Sequence, residues 1–313
     1  MYFKFKISSL NVEKIEVFLF SLSLFALSAP YFLWHSSIPN YCMIICLFIA
    51  MRQTRLIDRS ILAPIILLSI LYLIMGIRNS TLNLFGCLSI ILIPFFFYLN
   101  KKFVLRVFNL YSLIFSITLI PSIFVYLLLL LGINIPNEII SPLNPLKNDT
   151  YLQYPFLITI QSPLYGILPR FFAYYDEPGV VGTIATVLLI VRKFKIKNLV
   201  NIPIIIAGLL SLSLFFYLVL MCFLMINLKL KYNLIILVIV STVIIFLYDN
   251  PILNTFLFNR FSFDEKHFIV DNRTNSSFDN WYEDFKCSSD YYWGLGGGSS
   301  AIYNRGGASY KNL

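Results

Sequence analysis

Eight long apolar runs separated by short polar segments constrain this chain more than any other feature. They cover residues 15–34, 38–51, 61–77, 82–99, 107–132, 178–191, 199–228 and 232–248. A helix that crosses hydrocarbon needs about 20 mainly apolar residues, with about 17 as a working minimum. Only a helix satisfies its own backbone N–H and C=O groups within such a run. The runs 38–51 and 178–191 are short, so their ends need cover from neighbours or from aromatic and basic flanks. Run 199–228 is long for one span and slightly short for two. Its middle holds Ser211-Leu212-Ser213, where hydroxyls can satisfy a tight turn. Charged residues make up only 12% of the chain and hydrophobic ones 58%, with mean hydropathy +0.79, too little charge for a water-facing surface. An all-α integral membrane protein is expected.

The basic residues set the topology. Lys4, Lys6 and Lys14 precede the first run; Arg52, Arg55 and Arg59 follow the second; Lys101, Lys102 and Arg106 follow the fourth. Arg192, Lys193, Lys195 and Lys197 follow the sixth, and Lys229 and Lys231 follow the seventh. If 199–228 is a helical hairpin, these 15 of 24 basic residues share one side, and the short loops opposite carry only Arg78, Lys147 and Arg170. By the positive-inside rule that side and the N-terminus are cytoplasmic. Only Glu13, Glu16 and Asp58 of the 15 acids fall there. The expectation is about nine transmembrane helices. A polytopic membrane domain then occupies residues 1–249, and residues 250–313 form an extracytoplasmic loop region. Residues 1–10 are basic, but the following apolar run lacks a small-residue cleavage site, so it reads as a retained first span.

Cys42 and Cys46 lie four apart on one helical face, with no His or carboxylate beside them. Packing is the expected role, and no metal site or cofactor is indicated. The spans hold almost no ionisable groups, which argues against an ion-coupled transporter.

Chemistry-bearing residues collect outside. In 134–177 the six prolines Pro136, Pro142, Pro145, Pro155, Pro163 and Pro169 forbid a long helix. This segment ends in Arg170-Phe-Phe-Ala-Tyr-Tyr-Asp176-Glu177-Pro178-Gly179. One reading is structural: Asp176 caps the next helix, Pro178 fits its first turn, and the acids suit the positive end of its dipole. The other is chemical, with Arg170 a cation for phosphate oxygens and Glu177 a carboxylate able to act as base. Arg260 and Arg273 fall in an acid-rich loop, where they either form solvated ion pairs or reach a phosphate. His267 in the same loop reads as a surface residue or as a group that titrates near neutrality. Gly294, Gly296, Gly297 and Gly298 form a glycine-rich patch without the strand and helix of a nucleotide loop. Tyr291, Tyr292 and Trp293 beside it suit sugar stacking or an interface anchor.

Taken in order, these pieces resemble the bacterial Wzy-type polymerases of O-antigen or capsule repeat units, distant relatives of the O-antigen ligases. The order is an Arg before Glu-Pro-Gly opening a helix, Ser-x-Ser inside an apolar hairpin, Asp-Asn-Arg in a large outer loop, then Gly-Leu-Gly-Gly-Gly-Ser. The resemblance covers about residues 165–313. It implies transfer of a growing glycan onto a new lipid-linked repeat at the outer face of the cytoplasmic membrane, without a metal. Substrates would be undecaprenyl-pyrophosphate-linked oligosaccharides, partners the bilayer and the flippase and chain-length regulator of such a pathway, and nucleic acid would have no part. Carried onto this chain, the resemblance gives Arg170 and Arg273 to pyrophosphate binding and makes Glu177 a base or a positioner of Arg170. Asp176, Gly179, Arg260, His267, Gly294, Gly296, Gly297 and Gly298 would line the substrate cavity. The family continues past its large loop with further spans, so a C-terminally short chain is expected here. A ligase relative, a flippase or transporter and an inactive remnant are the other readings.

Overall fold

The structure, a computed structural model, describes residues 9–54, 59–79, 84–141, 150–161, 170–227, 262–264, 267–270 and 286. It is mostly helical. Helices α1 (Ser9–Leu27), α2 (Ile38–Gln53), α3 (Arg59–Asn79), α4 (Leu84–Tyr98) and α5 (Lys101–Leu130) are followed by α6 (Pro178–Val191), α7 (Asn201–Leu210) and α8 (Leu214–Asn227). Each falls on an apolar run, and run 232–248 lies outside the described residues. Among the described residues one helix, α5, is long and apolar enough to cross a membrane on its own.

Run 15–34 is not one helix to its end. α1 stops at Leu27, Ala29 takes φ +55°, and a 3₁₀ turn forms at Tyr31–Leu33. Pro30, which has no N–H to continue the ladder, follows directly. The Trp34 indole N–H donates to the Ala29 carbonyl at 3.0 Å and closes the break. A second difference lies in 134–177. Where the prolines forbid a long helix, β1 (Glu138–Ile140), β2 (Thr150–Tyr154) and β3 (Leu157–Gln161) form an antiparallel sheet in the order β1-β2-β3 that the sequence did not announce. The prolines exclude a helix, and Tyr, Thr and Ile between them favour extended backbone. A two-stranded ribbon pairs β4 (Ser262–Asp264) with β5 (His267–Val270).

The chain divides into two compact units, with the boundary inside α5 between Ile114 and Phe115. In the first, α1 packs on α2, and α4 packs on α2 and α3. Phe20 sits edge-on to Phe96 and Phe103, with centroids 5.8 and 5.4 Å away. Cys46 is fully buried in that core beside Phe20, Ile49 and Phe95.

Charged pairs tie the helix ends of this unit. Arg52 Nη1 lies 3.0 Å from Glu16 Oε1, Gln53 donates to Glu16 Oε2 at 2.5 Å, and Arg106 Nη1 lies 2.6 Å from Glu13. The start of α1 is thereby tied to the end of α2 and to the start of α5. Glu16 is buried while Arg52 is more than half exposed. Arg52→Ala is expected to destabilise the protein by about 1–3 kcal/mol, because it leaves a buried acceptor short of a donor. An Arg52→Leu, Glu16→Leu pair should recover most of that loss. Thermal unfolding in detergent checks both, and an Arg52→Ala protein as stable as the parent would contradict it.

In the second unit α5 is patterned inside out. Ile117, Ile120, Phe124 and Leu127, spaced three and four apart, are 56%, 53%, 61% and 45% exposed. The buried face carries Ser116 and Ser122 with Phe115, Leu119 and Tyr126. Apolar residues facing outward and hydroxyls facing inward are what a hydrocarbon solvent selects.

Candidate functional site

The segment 170–177 is held from three sides. Phe171 N–H donates to Leu210 O at 3.3 Å, Ile158 N–H of β3 donates to Ala173 O at 2.8 Å, and Tyr31 N–H donates to Tyr174 O at 2.7 Å. Tyr151 Oη donates to Asp176 O at 2.9 Å, and Tyr174 Oη is hydrogen-bonded to Thr118. Phe171, Phe172, Ala173, Tyr174 and Tyr175 are all buried, with Phe171 edge-on to Tyr126 at 5.2 Å. Ala173 takes φ +50°, an uncommon conformation for a residue with a Cβ, and these contacts hold it.

At the head of this segment Arg170 meets the turn between α7 and α8. Its Nε donates to Ser211 O at 3.3 Å and its Nη2 to Leu212 O at 3.1 Å. Leu212 has φ +49°, which turns these carbonyls away from the helical ladder, and the guanidinium satisfies them. Ser211 Oγ donates to Gly208 O at 2.7 Å and accepts from Ser213 N–H at 3.3 Å. The expected break of the run at its Ser-x-Ser turn is therefore present, with α7 before it and α8 after it. The partnership of that turn with Arg170 is not legible in the sequence, because more than 40 residues separate the two.

The hairpin packs on α6 through glycine. A Cβ on Gly182 would collide with the Ser213 side chain and lie 3.0 Å from Ser211 Oγ. At the other end of α6 the Arg192 Nε donates to Asn201 Oδ1 at 2.7 Å, and Asn201 Nδ2 donates to Lys195 O at 2.9 Å. Burial lowers the pKa of Arg192 below its ordinary value. The α6–α7 pair is thus clamped at both ends, a role that no local sequence signal marks for Gly182 or Asn201.

One expectation needs correction. The N-cap of α6 is Glu177, not Asp176; its backbone is extended (φ −141°, ψ 138°), and its side chain makes no cap hydrogen bond. Pro178 decides this, since it occupies the first helical position and excludes helical backbone from the residue before it. The Glu177 side chain is exposed and Asp176 half-buried. A Cβ on Gly179 would meet nothing within 4 Å, so packing does not demand glycine there.

The structure thus brings Arg170, Asp176, Glu177 and Gly179 onto one short path between the hairpin tip and the start of α6. His267 opens β5, paired with Asp264. Arg260, Arg273, Gly294, Gly296, Gly297 and Gly298 lie outside the described residues, as do Tyr291, Tyr292 and Trp293. Among the described residues no cluster of His, Cys, Asp or Glu could hold a metal ion. No family model, curated protein or solved structure matches the chain.

Proposed function

We propose that this chain is a multi-pass protein of a bacterial cytoplasmic membrane that polymerises lipid-pyrophosphate-linked oligosaccharide repeats on the outer face. The reading rests on its resemblance to the Wzy-type polymerases. The observation that best supports it is the Arg170 guanidinium, fixed on the carbonyls of Ser211 and Leu212 at the tip of an apolar hairpin. A cation held in place by the fold needs little reorganisation to meet a diphosphate. In this topology, with about nine spans and a cytoplasmic N-terminus, the basic residues after α6 face the cytoplasm and Arg170 faces the other side.

Helix lengths favour a recessed site. α6, α7 and α8 have 14, 10 and 14 residues. At about 1.5 Å per residue they reach roughly 21, 15 and 21 Å, short of a hydrocarbon core of about 30 Å. The Arg170–Glu177 path would then lie below the outer boundary, where a lipid-borne pyrophosphate also sits. In the proposed step the acceptor hydroxyl attacks the donor's anomeric carbon, Glu177 takes the proton, and the lipid pyrophosphate leaves against Arg170 and Arg273.

A deletion strain tests this. Long polymer should vanish while single repeats stay attached to their anchor, and the gene in trans should restore it. Loss of all surface glycan would point to a ligase, and lipid-linked repeats trapped on the cytoplasmic face to a flippase. Polymer of normal length would overturn all three, as would a cysteine at position 170 that reacts only from the cytoplasm.

A further inference from the structure

The turn between β2 and β3 is Pro155-Phe156, with Tyr154 paired to Leu157. Phe156 adopts φ +63° and is 61% exposed. Both facts are unusual for phenylalanine. The position after a turn proline with positive φ favours glycine or asparagine, because a Cβ is crowded there. An aromatic ring so displayed to water would have nothing to offset the strained backbone, and observed strain of this kind points to a role.

The register of the turn on α5 indicates what surrounds the ring. Ser122 Oγ donates to the Phe156 carbonyl, so the turn lies beside α5 at Ser122 rather than beyond its end at Leu130. In the topology expected from the basic residues, Arg106, which pairs with Glu13, marks the inner boundary of that helix. Sixteen residues separate Arg106 from Ser122, and at about 1.5 Å each they bring the turn roughly 24 Å into a hydrocarbon layer of about 30 Å. Any tilt of α5 takes it deeper. The level of Ser122 is also spanned by the outward apolar stripe of α5, with Ile120 53% and Phe124 61% exposed. The backbone of the hairpin can stand there because it is paired: β2 bonds to β3, Ile158 N–H reaches Ala173 O, and the Phe156 carbonyl has Ser122.

We propose that the β2–β3 hairpin is a membrane-inserted element whose Phe156 ring is seated among the acyl chains of the outer leaflet. The proposal rests on α5 crossing the membrane with its basic start at the cytoplasmic face, not on the polymerase reading. The sheet would then be anchored at bilayer depth, with the 170–177 segment that runs along β3 held at the same level.

Tryptophan placed at position 156 reports its surroundings. Phe156→Trp and, as a control on the stripe of α5, Phe124→Trp are each reconstituted as full chains in phosphatidylcholine vesicles. Emission is measured against the parent, whose Trp34, Trp281 and Trp293 give the background. Lipid brominated in mid-acyl chain should quench more than half of the added emission of both variants, and aqueous iodide should leave it nearly unchanged. If brominated lipid quenches the Phe124→Trp variant but not the Phe156→Trp variant, the inference is overturned and the span stays intact. Iodide quenching of the indole introduced at position 156 would identify a water-filled cavity instead. Protection of that indole from both quenchers would mean that a second copy or a lipid-linked substrate covers it, which also overturns the inference. If neither introduced indole meets lipid, the span itself fails and the inference with it.

Discussion

An Arg170→Ala protein is expected to make at least about 100-fold less long-chain polysaccharide than the parent, the order of loss when a preorganised charge-stabilising donor is removed. Two effects act together. The variant loses a cation for the leaving pyrophosphate, and it orphans the carbonyls of Ser211 and Leu212, which Arg170 now satisfies. Hydrogen bonds to charged groups contribute about 1.5–3 kcal/mol each, so the hairpin tip should also loosen. Two further variants separate these effects. Arg170→Gln retains N–H donors without the charge; it should unfold close to the parent's temperature and yet make no long polymer. Arg170→Lys retains the charge but cannot fork across two carbonyls; it should keep a trace of polymer and lose stability. Polymer length on gels and thermal unfolding in detergent measure the two quantities. Normal polymer from Arg170→Gln would remove the cation from the mechanism and leave Arg170 a brace for the hairpin.

Phe216→Ala is expected to cost about 3–5 kcal/mol, the usual range for emptying a fully buried phenylalanine site. Phe216 is 0% exposed, and its ring lies against Gly208, where an added Cβ would collide with it. Helices in lipid associate through close packing more than through a hydrophobic driving force, so the glycine and the ring form one fitted contact between α7 and α8. Gly208→Ala should itself cost about 1–3 kcal/mol by overpacking. Combining it with Phe216→Leu, which removes the obstructing ring atoms, should cost less than the two losses summed, by about 0.5–3 kcal/mol of coupling. Strict additivity in unfolding experiments would mean that the two residues do not touch.

How far the sequence can be read follows from the range of the interactions involved. The helix positions are legible because each depends on a continuous apolar run, and the Ser211-Leu212-Ser213 break because hydroxyls mark it locally. The end of α1 at Leu27 is not legible although Pro30 stands in the run, since long membrane helices tolerate proline; Pro64 and Pro121 sit inside α3 and α5. Residue preference alone assigns the N-cap to Asp176, whereas the steric effect of Pro178 on its predecessor moves the cap to Glu177. The sheet escapes notice because its strands, three to five residues long, carry too little periodicity to stand out among prolines.

The candidate site is legible as residue types and not as geometry. Arg170 stands out for its charge just before the apolar run of α6, yet its partners are carbonyls of Ser211 and Leu212, and a backbone acceptor leaves no signature in sequence. Gly179 stands out beside Glu177, while the glycines that fit neighbouring side chains are Gly182 and Gly208. By itself, then, the sequence determined where the helices fall: long runs of apolar residues admit helices, because a helix alone pairs its own backbone groups within such a run. The tertiary structure alone decided which distant atoms meet. It placed a guanidinium on a hairpin tip, glycines under side chains and a phenylalanine turn beside Ser122, since such contacts depend on where the folded backbone passes and not on the order of residues along it.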